Sequence, residues 1–170
     1  SRWKVGDRVC TLLAGGGMAE EVVVDARHAL PAPEGMSLHE AAVIPEVYAT
    51  AWLNLYRLGA LLAGDNVLLH AGASGVGLAA IQLAKAAGAT VLATASSDDR
   101  LSRLKDYGLD HGINYKSADA AKEVMAFTHG AGVNLVVDSV GGSTLESSIA
   151  SLAYRGRISW VGRAGREERP

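Results

Sequence analysis

Apolar residues occur along this chain in two alternating rhythms. One is the short, mostly apolar run: Val67 to His70, Thr90 to Ala95, Val133 to Asp138 and Arg157 to Val161, with a briefer one near His111 to Asn114. Runs of this kind suit strands buried on both faces, where alternation with polar residues is not needed. The other rhythm has a helical period. It predicts helices over Val76–Ala87, from about Asp98 to Tyr107, over Ala118–Thr128 and from about Ser143 to Leu152, the first two stopped by Gly88 and Gly108. Repeated strand–helix units of this length predict an α/β fold, a doubly wound parallel sheet with helices on both faces.

Before Val67 the pattern is different. Asp7–Leu13, the Gly15–Gly17 turn and Ala19–Val24 read as short β segments, too short for a domain by themselves. Pro31 and Pro33 mark an irregular connection, and Ser37-Leu-His-Glu40 has the form of a capping box opening a short helix. Pro45 is expected to break that helix, and Glu46–Leu58 to form a second one stopped by Gly59. The boundary is expected near residue 38, between the short β segments of 1–38 and the strand–helix units of 39–170.

Composition narrows the classes. The chain has 170 residues, 49% hydrophobic and 20% charged, enough to bury a core. Sixteen basic residues against eighteen acidic ones give no basic surface for nucleic acid. The single Cys10 excludes an internal disulfide framework and a thiolate zinc cluster. No secretory pattern opens the chain and no apolar run approaches the roughly 18 residues of a membrane span, so the expectation is a cytoplasmic protein with no membrane partner. It opens on Ser1-Arg-Trp-Lys4 and stops at Arg166-Glu-Glu-Arg-Pro170, which reads as a piece of something longer.

The most informative segment is Asn66-Val-Leu-Leu-His-Ala-Gly-Ala-Ser-Gly-Val-Gly77, a strand and a glycine turn opening a helix. A helix starting there aims unpaired N–H groups and its positive dipole end at the turn, which suits a nucleotide pyrophosphate in a Rossmann-type fold. Gly72, Ala73, Ser74, Gly75, Val76 and Gly77 are the candidate phosphate residues, with Gly72 expected in a conformation closed to other residues. The second strand ends Thr94-Ala-Ser-Ser97 without the acid that would bind a ribose hydroxyl, and Arg100 follows within a turn. Ser97 as helix cap and Arg100 as phosphate fork suit the 2′-phosphate of NADP(H), Asp98 and Asp99 oppose it with their field, and the pattern by itself leaves NAD and NADP(H) nearly even. Ser139, Val140 and Gly141 after the fourth strand, and Gly162 after the fifth, lie at the same sheet edge, where ordinary tight turns fit as well.

Taken together, Trp3-Lys-Val-Gly-Asp-Arg-Val9, Ala41-Ala-Val-Ile-Pro-Glu46, Gly64–Gly77 with Gln82, Ile113-Asn-Tyr-Lys116, Gly130–Asn134 and Asp138-Ser-Val-Gly-Gly142 resemble the zinc-independent medium-chain dehydrogenases/reductases. Within these, the chain resembles the zeta-crystallin-like quinone oxidoreductases, including the p53-inducible quinone reductase type. The resemblance implies NADPH as hydride donor and a quinone or related conjugated carbonyl as acceptor. It implies that Arg100 and Tyr115 hold the 2′-phosphate and that Thr50 lies near the nicotinamide, although Thr50 also reads as a helix threonine bonded to its own backbone. A GroES-like β-rich catalytic domain before this region, a homodimer in the full-length protein and a piece inactive by itself are further implications.

No catalytic constellation is legible. Hydride transfer to a conjugated acceptor asks the protein mainly to hold two rings in contact and exclude water. Tyr-x-x-x-Lys, Gly-x-Ser-x-Gly and the P-loop signature do not occur, and the five histidines show no metal-ligand spacing. His70, in an apolar run, reads as a satisfied core histidine. Two alternatives stay open: a non-catalytic NADPH-binding or redox-sensing module, and the enoyl-reductase domain of a polyketide synthase.

Overall fold

The computed structural model describes residues 2–165, so the last five residues of the expected nucleotide-binding segment lie outside it. The chain divides into two compact units between Ala49 and Thr50. In the first, the β reading shrinks to a two-residue antiparallel ladder, β1 (Val9–Cys10) with β2 (Leu30–Pro31). Ala19–Val24 forms no strand. A ladder needs a partner for every edge, and here only Cys10 and its neighbour find one. Ser37 caps α1 (Leu38–Ala41) with the full capping box: its hydroxyl accepts from the Glu40 N–H, and the Glu40 carboxylate accepts from the Ser37 N–H at 2.8 Å. Pro45 starts a helix instead of breaking one, because α2 (Ile44–Trp52) has it in the first turn, where the missing N–H has no intrahelical role. The expected single helix to Leu58 then changes hydrogen-bond pattern, with a π-helical segment over Leu53–Leu58.

The second unit holds a five-stranded parallel sheet in the order β5-β4-β3-β6-β7. Its strands are β3 (Asn66–Leu69), β4 (Thr90–Ala95), β5 (His111–Asn114), β6 (Val133–Asp138) and β7 (Leu152–Trp160). The connecting helices are α3 (Gly75–Ala86), α4 (Asp98–Leu104), α5 (Ala120–Phe127) and α6 (Leu145–Ala150). Two 3-10 turns, Lys105–Tyr107 and Gly142–Thr144, account for residues assigned from the sequence to α4 and α6. Helix α5 starts later than Ala118 because the Asp119 carboxylate caps it, accepting from the Ala121 and Lys122 N–H groups.

Leu68, Leu92, Ile113, Val124, Val133 and Val136 pack as one buried cluster, and burial on both faces accounts for the mostly apolar runs. β7 is longer than the expected Arg157–Val161, and its register against β6 slips between Val133 and Leu135. Gly132, at φ +75°, turns the chain into β6, and a Cβ there would meet backbone of Ser151 and Ala153 within 2.8 Å. Beside β3 the strand order reverses, with β4 on one side and β6 on the other. In open α/β sheets that point, at the carboxyl ends of the strands, is where ligands bind.

Candidate functional site

The turn between β3 and α3 is built from close backbone packing. Ala71, not Gly72, takes the left-handed conformation, at φ +54°. Gly72 is required for space instead: a Cβ there would lie 2.6 Å from that of Ala93. Gly77 has the same constraint against backbone, since its Cβ would meet the Ala71 and Gly72 carbonyl oxygens at 2.5 and 2.6 Å. These two glycines pull helix α3 onto the strand.

Ser74 caps α3, its hydroxyl accepting from the Gly77 N–H at 3.0 Å and its carbonyl from the Leu78 N–H at 2.8 Å. The N–H groups of Gly75 and Val76 have no acceptor among the described residues. Ala73, Ser74 and Gly75 are exposed, so two donors at the positive end of a twelve-residue helix face outward. That arrangement suits a diphosphate.

A cleft of about 840 Å³ opens at this edge of the sheet. Its lining brings Ala73, Ser74, Arg100, Tyr115 and Val140 together, five residues drawn from four separate segments. Ser97 lies beside it, capping α4 by accepting from the Arg100 N–H at 3.4 Å, while its neighbour Ser96 lines the wall. Ser139 and Gly141 sit in the loop after β6 and take part in its internal bonds. Gly162, whose carbonyl accepts from the Trp160 indole N–H at 2.6 Å, and Thr50, on α2, do not line the cleft.

The acidic pair next to Arg100 is engaged elsewhere. Asp99 pairs with Arg103 at 3.1 Å, and the Asp98 carboxylate accepts from the Asn114 amide at 3.2 Å. The Arg100 guanidinium has no hydrogen-bond or ion-pair partner among the described residues, and the residue is exposed at the cleft wall. An unengaged guanidinium on the same cleft lining as Tyr115 is available to a phosphate in a bidentate grip.

Under the cleft runs a polar row that sequence reasoning treated only in part. Continuing the strand register places His70 between Thr94 and Asp138. Both nitrogens of the buried His70 ring are bonded, Nδ1 to the Thr94 hydroxyl at 3.1 Å and Nε2 to the Ser148 hydroxyl at 3.0 Å. Burial pushes its imidazole pKa down, against the opposing charge of Asp138. Burial pushes Asp138 up, but donations from the Gly141 N–H, the Thr144 hydroxyl and the Val140 N–H, with His70, bring it below the usual carboxylate range. The sequence signal was a polar residue at or next to the end of each of three apolar runs: His70, Thr94 and Asp138. Among the described residues no three His, Cys, Asp or Glu side chains gather into a group that could hold a metal ion.

A family model described as zinc-binding dehydrogenase matches residues 75–169. The chain is 39% identical over 160 residues to a mycocerosic acid synthase-like polyketide synthase of Mycolicibacterium smegmatis, covering 94% of this chain and 8% of that protein. It is 40% identical over 163 residues to the squalestatin tetraketide synthase of Phoma sp., covering 94% of this chain and 6% of that one. The chain thus spans a small part of the curated relatives it matches. Among solved structures, CurK enoyl reductase superposes with a TM-score of 0.87 and 38% identity, over 93% of this chain and 47% of that one. A quinone oxidoreductase of Pseudomonas syringae gives 0.84 and 34%, over 97% of this chain and 51% of that one.

Proposed function

This chain belongs to the zinc-binding dehydrogenase family, within the medium-chain dehydrogenases/reductases, and on that premise we propose that it is the nucleotide-binding part of an NADPH-dependent enoyl reductase of a polyketide synthase. The observation that carries the cofactor reading is the cleft that puts the unengaged Arg100 on the same lining as the Ser74 turn. The enoyl acceptor is supported by the polyketide synthases among the relatives and by the likeness to CurK enoyl reductase.

The residues divide by role. The Gly75 and Val76 N–H groups hold the pyrophosphate, with Ser74 fixing the helix start and Gly77 keeping the helix close. Arg100, on the helix capped by Ser97, and Tyr115 hold the 2′-phosphate. Val140, on the cleft lining, with Ser139, Gly141 and Gly162 at the same sheet edge, belongs to the cofactor loops, and Thr50 to the nicotinamide side. When bound, the nicotinamide supplies hydride to the β-carbon of an α,β-unsaturated thioester, the α-carbon takes a proton, and NADP⁺ and the saturated thioester leave. No residue of this chain is assigned as the proton donor.

A second reading, reduction of a quinone in the manner of the zeta-crystallin-like enzymes, is favoured by the likeness to the Pseudomonas syringae quinone oxidoreductase. The assay that separates them follows NADPH absorbance in the full-length protein with crotonyl-N-acetylcysteamine and with benzoquinone. The proposal expects kcat/KM at least about tenfold higher for the thioester. Turnover of the quinone with an inert thioester would replace it by the second reading. Tight NADPH binding without oxidation of either kind would leave a binding module.

A further inference from the structure

We infer that His70 is a positioning residue that locks the loop after β6 against the phosphate turn after β3, through Ser148 and Asp138. The inference rests on the nucleotide reading for its consequence but not for its geometry. Ser148 donates its hydroxyl proton to Asp138 Oδ2 at 3.2 Å, so its oxygen is left to receive the His70 Nε2–H at 3.0 Å. Nδ1 then accepts from the Thr94 hydroxyl at 3.1 Å. One neutral tautomer, assigned here from the network, satisfies every member.

Asp138 passes the constraint on. Its Oδ1 accepts from the Val140 and Gly141 N–H groups at 2.9 Å each, and its Oδ2 from the Thr144 hydroxyl at 2.7 Å. The backbone of His70 adds two ties: its carbonyl accepts from the Ser139 hydroxyl at 3.3 Å, and its N–H donates to the Val137 carbonyl at 3.0 Å. Ring, carbonyl and N–H of one residue are therefore bonded to β6, its loop or the helix beyond, while Ala71, next in the chain, opens the turn leading to Ser74. The two walls of the switch-point crevice are held in one geometry before any nucleotide arrives. A site ordered in advance loses less binding free energy to immobilisation.

Two substitutions separate this role from general packing. In His70→Gln the side-chain amide reaches the Nε2 position and can still donate to Ser148. In His70→Asn the shorter amide occupies the Nδ1 position and keeps only the Thr94 contact. Nucleotide affinity is read by NADPH and NADH fluorescence titration, stability by thermal melting, and loop order by amide hydrogen exchange at Val140 and Gly141. His70→Gln is expected to bind both nucleotides within about threefold of the parent chain, with Val140 and Gly141 still protected. His70→Asn and Ser148→Ala are expected to weaken both nucleotides about tenfold and to speed exchange at those two amides. Affinity that simply follows Tm across the three variants, or equal protection of Val140 and Gly141 in all of them, would overturn the assignment. The exchange readout needs no nucleotide, so a failed Arg100 selectivity test would leave this one standing.

Discussion

Gly77→Ala puts one methyl group into the tightest seam of the nucleotide site. The added Cβ would lie 2.5 Å from the Ala71 oxygen, 2.6 Å from the Gly72 oxygen and 2.7 Å from the Gly72 carbonyl carbon. All three are backbone atoms, so no flexible side chain can swing away. Helix α3 would have to retreat on the order of 0.5–1 Å, a gap that forfeits roughly a quarter to a half of the dispersion contact along that seam. Overpacking of this kind costs about 1–3 kcal/mol. Alanine's better helix propensity returns up to about 1 kcal/mol. The net loss is roughly 1–2 kcal/mol, which for a domain of this size lowers Tm by about 3–10 °C. The same retreat carries the Gly75 and Val76 N–H groups away from the turn, so NADPH affinity should fall at least about tenfold. Thermal melting and NADPH fluorescence titration read the two effects. Gly15→Ala is the control, because a Cβ there meets nothing within 4 Å and no left-handed φ is required. A Gly77→Ala protein that melts at or above the parent Tm and binds NADPH unchanged would refute the close-approach reasoning.

Two other outcomes follow from the same site. Ala71 holds a left-handed φ of +54°, which costs a non-glycine residue roughly 1 kcal/mol; Ala71→Gly should therefore keep or raise Tm, gaining up to about 1 kcal/mol, and a lower Tm would contradict the strain. His70 has a folded pKa below its unfolded value, so as pH falls through about 6.5 the unfolded chain takes up the proton first and stability declines toward the folded pKa. The slope in denaturant titrations between about pH 7.5 and 5.5 is bounded near 1.4 kcal/mol per pH unit for one proton, and His70→Gln should remove the part due to this residue. Asp138 is also shifted down, but its stabilising contribution is present above the unfolded carboxylate pKa and is lost only as pH falls through the lower folded value, a window well separated from that of His70.

The sheet was legible in the sequence because its central strands are buried on both faces and carry mostly apolar, β-branched runs: Thr90–Ala95 and Val133–Asp138 are the strands as folded. The caps at Ser37 and Ser97 were legible for a local reason, since each needs only an N–H three residues ahead, whereas Ser74, read as a phosphate residue, proves to cap α3 in the same way. What the sequence concealed was non-local. Ala19–Val24 has strand composition but no ladder partner, and composition cannot supply one. The left-handed conformation expected at Gly72 falls on Ala71 instead, and the constraint on Gly72 is the Ala93 Cβ of the neighbouring strand. Asp98 and Asp99 read as a field opposing Arg100, yet Asn114 on another strand and Arg103 one turn on take up both carboxylates. The bonds of His70 span as many as 78 residues, and only the register of three strands brings its partners together.

The central claim is that the turn at Ser74 holds a diphosphate while Arg100 selects the phosphorylated adenosine. Calorimetric titration of NADPH and NADH into the parent chain and Arg100→Ala tests it directly. Loss of a charge-assisted bidentate contact is worth about 1.5–3 kcal/mol, so the account predicts NADPH weakened roughly 10- to 150-fold and NADH changed less than about twofold. Equal losses for the two nucleotides, or none for either, would contradict it.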